Sequence, residues 1–343
     1  MVIERKLYID SIKGLAILLM VMGHVIAYQF PDFSVAYSQS PRITTIVYRI
    51  IYSFHMPLFM FCAGLFALRT KNYSWKSFGQ VLWKRAYTLL LPFFCSGFIF
   101  NQVRHVHAFF WFLWMLFWFI AFVMIVDALC SVLPQYGQVV SSCIIAIAAV
   151  VVHVTYHNFF RYEHLPWIDI GHLRQFPFFC MGVLCARYNL CEKWFSVNGM
   201  FTCALLIFSF FTYWITIKGF SIPLQYITWG ILPISAIVAC VYLFKDGLSG
   251  NSIIEKYLQD IGRHSLEIYI IHNFFLFRMC RIGDFILNQA YLDETGRTIF
   301  FVQLVSSFLS SVVIIVLCYL VMNIINKSQV LSLVLLGRKS TIS

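Results

Sequence analysis

The sequence predicts an all-α, polytopic integral membrane protein with about ten transmembrane helices and both termini cytoplasmic. Three observations carry that expectation. Hydrophobic residues make up 61% of the 343-residue chain and charged ones only 11%, whereas a soluble domain is nearer half apolar and a quarter charged. Apolar stretches close to the roughly 20 residues that cross a bilayer as helix recur from one end to the other. Finally, Lys and Arg are divided unevenly between alternate connections, as membrane topology requires.

In order, the expected spans are 12–28, 45–68, 86–101, 109–133, 136–155, 171–186, 198–217, 222–244, 265–282 and 298–325. The first is apolar except for Lys13 near its start and His24 deep inside. The second holds His55 just before Met56 and Pro57. Proline lacks the N–H of a helical turn, so a break or kink is expected there. Spans three and six are short and need protein neighbours to shield their ends. The fourth opens on an aromatic run from Phe109 to Phe119, read as lipid-facing and interfacial packing. The ninth carries Ser265 and His272, seven residues apart and so on one helix face. With no soluble domain and no repeat, residues 1–343 form a single membrane domain, its helical core about 7–325. A short cytoplasmic tail, 326–343, follows.

Net charge is +11. Nucleic acid is not the expected partner, because the basic residues are dispersed between apolar spans rather than gathered on one polar face. With the N-terminus inside, the cytoplasmic set is Arg5, Lys6, Lys13, Arg69, Lys71, Lys76, Lys84, Arg85, Arg187, Lys193, Lys245, Lys256, Arg263, Lys327, Arg338 and Lys339. Those sixteen face nine outside: Arg42, Arg49, Arg104, Arg161, Arg174, Lys218, Arg278, Arg281 and Arg297. A basic residue kept outside against the bias suits an anionic ligand. The eleven cysteines form no CxxC pair, so neither a zinc site nor a disulfide framework is expected. No small-residue cleavage site follows the first span, so that span is expected to stay.

Lys13 and His24 are eleven residues apart, which places them within about 20° of one helix face and roughly 16 Å apart. Ionisable groups at such depth are costly and usually face a polar or protein-lined cavity. Histidine is also the side chain best suited to accept a proton near neutral pH. Asp10, three residues before Lys13, is placed to pair with it. His55 suits a pocket opened by Pro57, and equally a cap on a distorted turn. Together with His272 it makes three buried histidines in separate spans, more than packing comfortably explains. The stretch RTKNYSWKSFGQVLWKR gathers Arg69, Lys71, Lys76, Lys84 and Arg85 in one cytoplasmic loop. Topology alone accounts for such a loop. The functional alternative is an anchor for the phosphates of a nucleotide-like donor. No glycine-rich phosphate cradle exists, which excludes a P-loop or dinucleotide fold as its source.

Taken together, YIDSIKGLAILLMVMGHV, FHMPLFMFCAGLF, WKRAYTLLLP, FFWFL, QFPFFCMGVLCAR and IGRHSLEIYIIHNFF resemble, in order, the motifs of membrane acyltransferase family 3. The branch most similar is that of the sugar O-acetyltransferases related to fucose acetylases and nodulation acyltransferases. The resemblance spans about residues 7–325. It implies an enzyme of the inner or plasma membrane that takes an acyl group, usually acetyl, from cytoplasmic acyl-CoA. The acceptor it implies is a hydroxyl of a glycan or lipid-linked sugar. His24 matches the family's essential histidine and Lys13 the basic position more often held by Arg. Lys84 and Arg85 match the basic pair associated with donor binding. Ala63 stands where Ser is usual before Gly64, and Asn273 where Pro is typical.

No metal is called for, and a homo-oligomer is left open. His24 would serve either as general base or as acyl carrier. Two rival classes fit the bare residues. A transporter or flippase for a glycan or small anionic solute would also have many spans and buried ionisable groups. A non-catalytic membrane sensor would tolerate loss of His24.

Overall fold

A computed structural model describes residues 6–29, 46–67, 75–104, 110–133, 135–156, 170–193, 198–218, 222–248, 252–276 and 297–338. Among them every regular element is helical. We number the α-helices α1 Leu7–His24, α2 Ile46–Ala67, α3 Trp75–Arg104, α4 Trp111–Cys130, α5 Gly137–Thr155, α6 Phe176–Tyr188, α7 Leu190–Lys193, α8 Asn198–Lys218, α9 Ile222–Tyr242, α10 Ile253–Arg263, α11 Ser265–Ile271, α12 Arg297–Ile325 and α13 Gln329–Leu336. Six stretches of the described residues are long and apolar enough to cross a membrane: Leu7–Ala27, Ile50–Ala67, Trp111–Cys130, Gly137–Thr155, Gly230–Gly247 and Gln303–Ile325. Apolar residues such as Val150 and Val151 of α5, or Val312 and Val313 of α12, point outward from them. Such surface belongs in hydrocarbon.

The chain divides into two compact units, Met1–Phe59 with Trp194–Met322, and Met60–Lys193 with Asn323–Ser343. In the first, α1 lies along α10. The two helices cross where each presents a glycine: a Cβ on Gly14 would strike the Leu258 carbonyl, and one on Gly262 the Asp10 carbonyl. Close backbone approach of this kind is how helices associate where hydrocarbon supplies no hydrophobic drive. α10 itself was not expected. Ser252 and Glu255 start it with a reciprocal capping box, which stabilises a helix too short to persist alone. The ninth expected span is likewise divided. α11 gives way at His272 to a 3₁₀ turn, His272–Phe275, and 277–282 lie outside the described residues.

Pro57 does not break α2, which runs without interruption through it. A proline inside a membrane helix is tolerated where neighbours re-satisfy the carbonyl it leaves bare. α1 starts earlier than expected, at Leu7, and passes beyond His24 into a π-helical turn, Val25–Gln29. Such turns are rare and concentrate at functional sites.

In the second unit α4 is central, contacting α3 and α5, and this corrects the reading of its aromatic run. Phe110, Phe112, Phe117 and Phe119 are buried core, and Trp118 is the large residue that faces outward. α2 and α6 repeat the glycine crossing: Gly64 lies against the Phe179 carbonyl and Gly182 against that of Phe61. α3 begins at Trp75, so much of the expected basic loop is helix. The segment after 325 opens with α13, capped by Ser328 and closed by Gly337 in the left-handed conformation, φ 68°. It packs on α3, where Ser96 Oγ donates to the Leu335 carbonyl at 3.4 Å.

Candidate functional site

His24 closes α1 and His272 closes α11, and their rings come together. His24 Nδ1 lies 2.8 Å from His272 Nε2, with ring centroids 5.0 Å apart and planes 25° from parallel. The proton positions follow from one further contact. His272 Nδ1 is 3.0 Å from the carbonyl of Ile268 one turn back. A carbonyl only accepts, so Nδ1 of His272 carries the proton and, in the neutral ring, Nε2 carries a lone pair. Nδ1 of His24 must then donate to it. That places the lone pair of His24 on Nε2, the nitrogen a general base or nucleophile would use.

His55 is adjacent. Gly23 packs against Tyr52, whose ring meets His55 edge-on at 4.8 Å. His55 is 1% exposed, and its Nδ1–H donates to the Ile51 carbonyl at 2.7 Å. By the same reasoning its Nε2 holds a lone pair. That backbone bond, within one turn of α2, is the kind a histidine makes whether or not it serves a site.

Three turns toward the start of α1, Lys13 and Asp10 pair at 3.7 Å, as their spacing led us to expect. The structure adds partners that spacing could not reveal. Asp10 is fully buried, and Arg263 at the end of α10 approaches its other carboxylate oxygen at 4.0 Å. His264 lies 3.9 Å from Glu267 and 4.0 Å from Asp260, which accepts a 2.7 Å hydrogen bond from Tyr319 of α12. Ser265 is buried at the first position of α11. One unit thus holds a charged end on α1 and a histidine pair further along the same helix.

The donor-binding candidates lie in the other unit. Lys84 is exposed on α3. Arg85 is half-buried and donates to the Ala67 carbonyl at the end of α2, 3.5 Å away. Arg69 lies outside the described residues. So does Arg161 of the outside basic set. His172 is described, and it stacks on Trp111 with centroids 3.8 Å apart.

Sequence reasoning passed over three features that carried signals. Asp127 is an acid inside a long apolar run. Arg187 Nη2 meets its two carboxylate oxygens at 2.5 and 2.6 Å, and Nη1 donates to Ser141 and Ser142. Ser252 and Glu255 have the spacing of a capping box. Gln303 is an amide inside an apolar helix, buried with 1% exposed.

The profile of the acyltransferase domain family matches residues 6–321, nearly the whole chain. The chain belongs to that family. Among curated proteins it is similar to nodulation protein NolL of Mesorhizobium japonicum, 29% identical over 207 residues, covering 54% of this chain and 48% of the relative. NolL of Sinorhizobium fredii is 27% identical over 203 residues, covering 54% and 50%. The chain thus spans about half the length of the curated relatives it matches. No solved structure matches. Family membership makes the pair of half-buried His24 and buried His272 a candidate acyl-transfer site.

Proposed function

We propose that this protein is a multi-pass O-acyltransferase of the cell's inner or plasma membrane, and that His24 is its base. The donor is acyl-CoA, the acyl group is acetyl, and the acceptor is a hydroxyl of a surface or lipid-linked glycan. Ten spans with both termini cytoplasmic would put Lys13 on the donor side and His24 beyond the middle of the bilayer. Lys84, Arg85 and Arg69 would serve the donor phosphates by charge.

One observation carries the reading. The Ile268 carbonyl fixes His272, and His272 fixes His24, leaving Nε2 of His24 as the basic atom. In the reaction His24 Nε2 takes the proton of the sugar hydroxyl as that oxygen attacks the thioester carbonyl. The carbon–sulfur bond then breaks, and the coenzyme A thiolate takes the proton back from His24. Meanwhile the imidazolium is steadied by its Nδ1–H bond to His272, as the third member of a catalytic triad steadies its histidine. A neutral imidazole does this less strongly than a carboxylate would.

Incubating the purified chain with radiolabelled acetyl-CoA and a glycan extract from cells lacking the protein tests the reading. Label is expected in the glycan, and none with His24→Ala. Glycan translocation without incorporated label would instead favour the flippase. Kinetics then separate the two uses of Nε2. A ternary-complex pattern reports a general base, and a ping-pong pattern with trapped acyl-enzyme reports an acyl carrier.

A further inference from the structure

Gln303 lies early in α12, a helix whose other side carries Phe301, Val305, Phe308 and Leu309 outward. Its own side is buried, together with Ser307 and Ser311 at the following turns. Those two hydroxyls are satisfied, donating to the carbonyls of Leu304 and Ser307 at 3.1 and 2.6 Å. Gln303 differs. Neither its Nε2 nor its Oε1 has a hydrogen-bonding partner among the described residues.

An amide in this state is expensive. Hydrocarbon supplies no water to satisfy it, and a residue such as Leu would fill the same space without penalty. A buried polar group left open needs a reason. Its depth supplies one. The next residue, Leu304, packs on the cluster of Met22, Ile26, Val47 and Ile51. Met22 on α1 and Ile26 in the π-helical turn that continues it flank His24, each within about 3 Å of it along the helix axis. Gln303 therefore stands at the level of the histidine pair, and Lys13 is three turns away on the donor side.

We propose that Gln303 is a binding residue for the sugar acceptor, its amide reading hydroxyls next to the one that is acylated. The inference rests on the acyltransferase reading above. Its chemistry follows from both amide atoms being open. An oxyanion stabiliser would use Nε2 alone and leave Oε1 stranded. Neighbouring sugar hydroxyls, each a donor and an acceptor, satisfy both. The pantetheine amides of the donor would satisfy both as well, but they arrive from the Lys13 side.

The test uses the full chain in detergent, with labelled acetyl-CoA as donor and glycan extract from cells lacking the protein as acceptor. In Gln303→Leu and Gln303→Met, half-saturation by the extract is expected to rise about tenfold. Half-saturation by acetyl-CoA should shift by less than about twofold, since the amide is assigned to the acceptor and not the donor. Both variants should also melt higher than the unsubstituted protein, because an unpartnered amide has been removed from the interior. A merely structural glutamine predicts the opposite shift. Unchanged half-saturation by the extract, an equal rise in half-saturation by acetyl-CoA, or a lowered melting temperature in both variants overturns the proposal. If the unsubstituted protein labels no extract, the acyltransferase reading itself fails, a result distinct from any of these.

Discussion

In the second unit, Asp127 receives both Nη2 contacts of Arg187 and a hydroxyl from Ser141, and Arg187 Nη1 turns to Ser141 and Ser142. In the first unit, Asp10 lies 3.7 Å from Lys13 and 4.0 Å from Arg263, and Gln303 has no hydrogen-bonding partner among the described residues. Both regions set polar groups inside apolar helices, and both helix pairs cross through reciprocal glycines. They differ in closure. The Asp127 network answers its own charges with short, forked bonds and holds three helices together. The first unit leaves the Gln303 amide open, as a group that meets an incoming substrate would be.

That contrast can be broken at several points. The largest effect is expected from His24→Ala, which should lower acyl transfer by about 10³-fold. Its melting temperature should stay nearly constant, and measured label incorporation and thermal melts check the two halves. Next, Arg187→Ala strands Asp127 among apolar helices and should destabilise the protein by about 3 kcal/mol. Pairing it with Asp127→Leu should recover most of that loss in a denaturant titration. His272→Ala releases the His24 ring and is expected to slow turnover by roughly 30-fold. His272→Gln, whose amide oxygen can still accept from His24 Nδ1, should recover part of the rate.

Smaller effects sharpen the picture. Ser252→Ala removes the capping box of α10 and should cost about 1 kcal/mol. The melting curve reports it, and a drift in donor affinity alongside would show that α10 braces Lys13 through Gly14 and Gly262. Lys84→Ala should raise half-saturation by acetyl-CoA about threefold, an effect that fades in high salt because the group is exposed.

Much of this was legible along the chain. Three residues of spacing put Asp10 beside Lys13, and the apolar runs located α1, α2, α4, α5, α9 and α12. Other features were hidden for a physical reason. A capping box determines α10 locally, yet its glycine contact with α1 joins residues more than two hundred apart. The aromatic run of α4 looked lipid-facing because composition does not distinguish lipid from other aromatic side chains. Of the break or kink expected at Pro57, the break does not occur, because one missing N–H in a long helix does not end the turns on either side of it.

The sequence by itself determined that the chain is helical, apolar enough for a membrane and punctuated by ionisable residues at set depths, because helical periodicity and composition are local properties. Only the tertiary structure decided which of those residues meet. His24 finds His272, Asp10 finds Arg263, and Gln303 finds no hydrogen-bonding partner among the described residues. A hydrogen bond depends on tenths of an ångström between distant segments, and helix crossings, not spacing, set that distance.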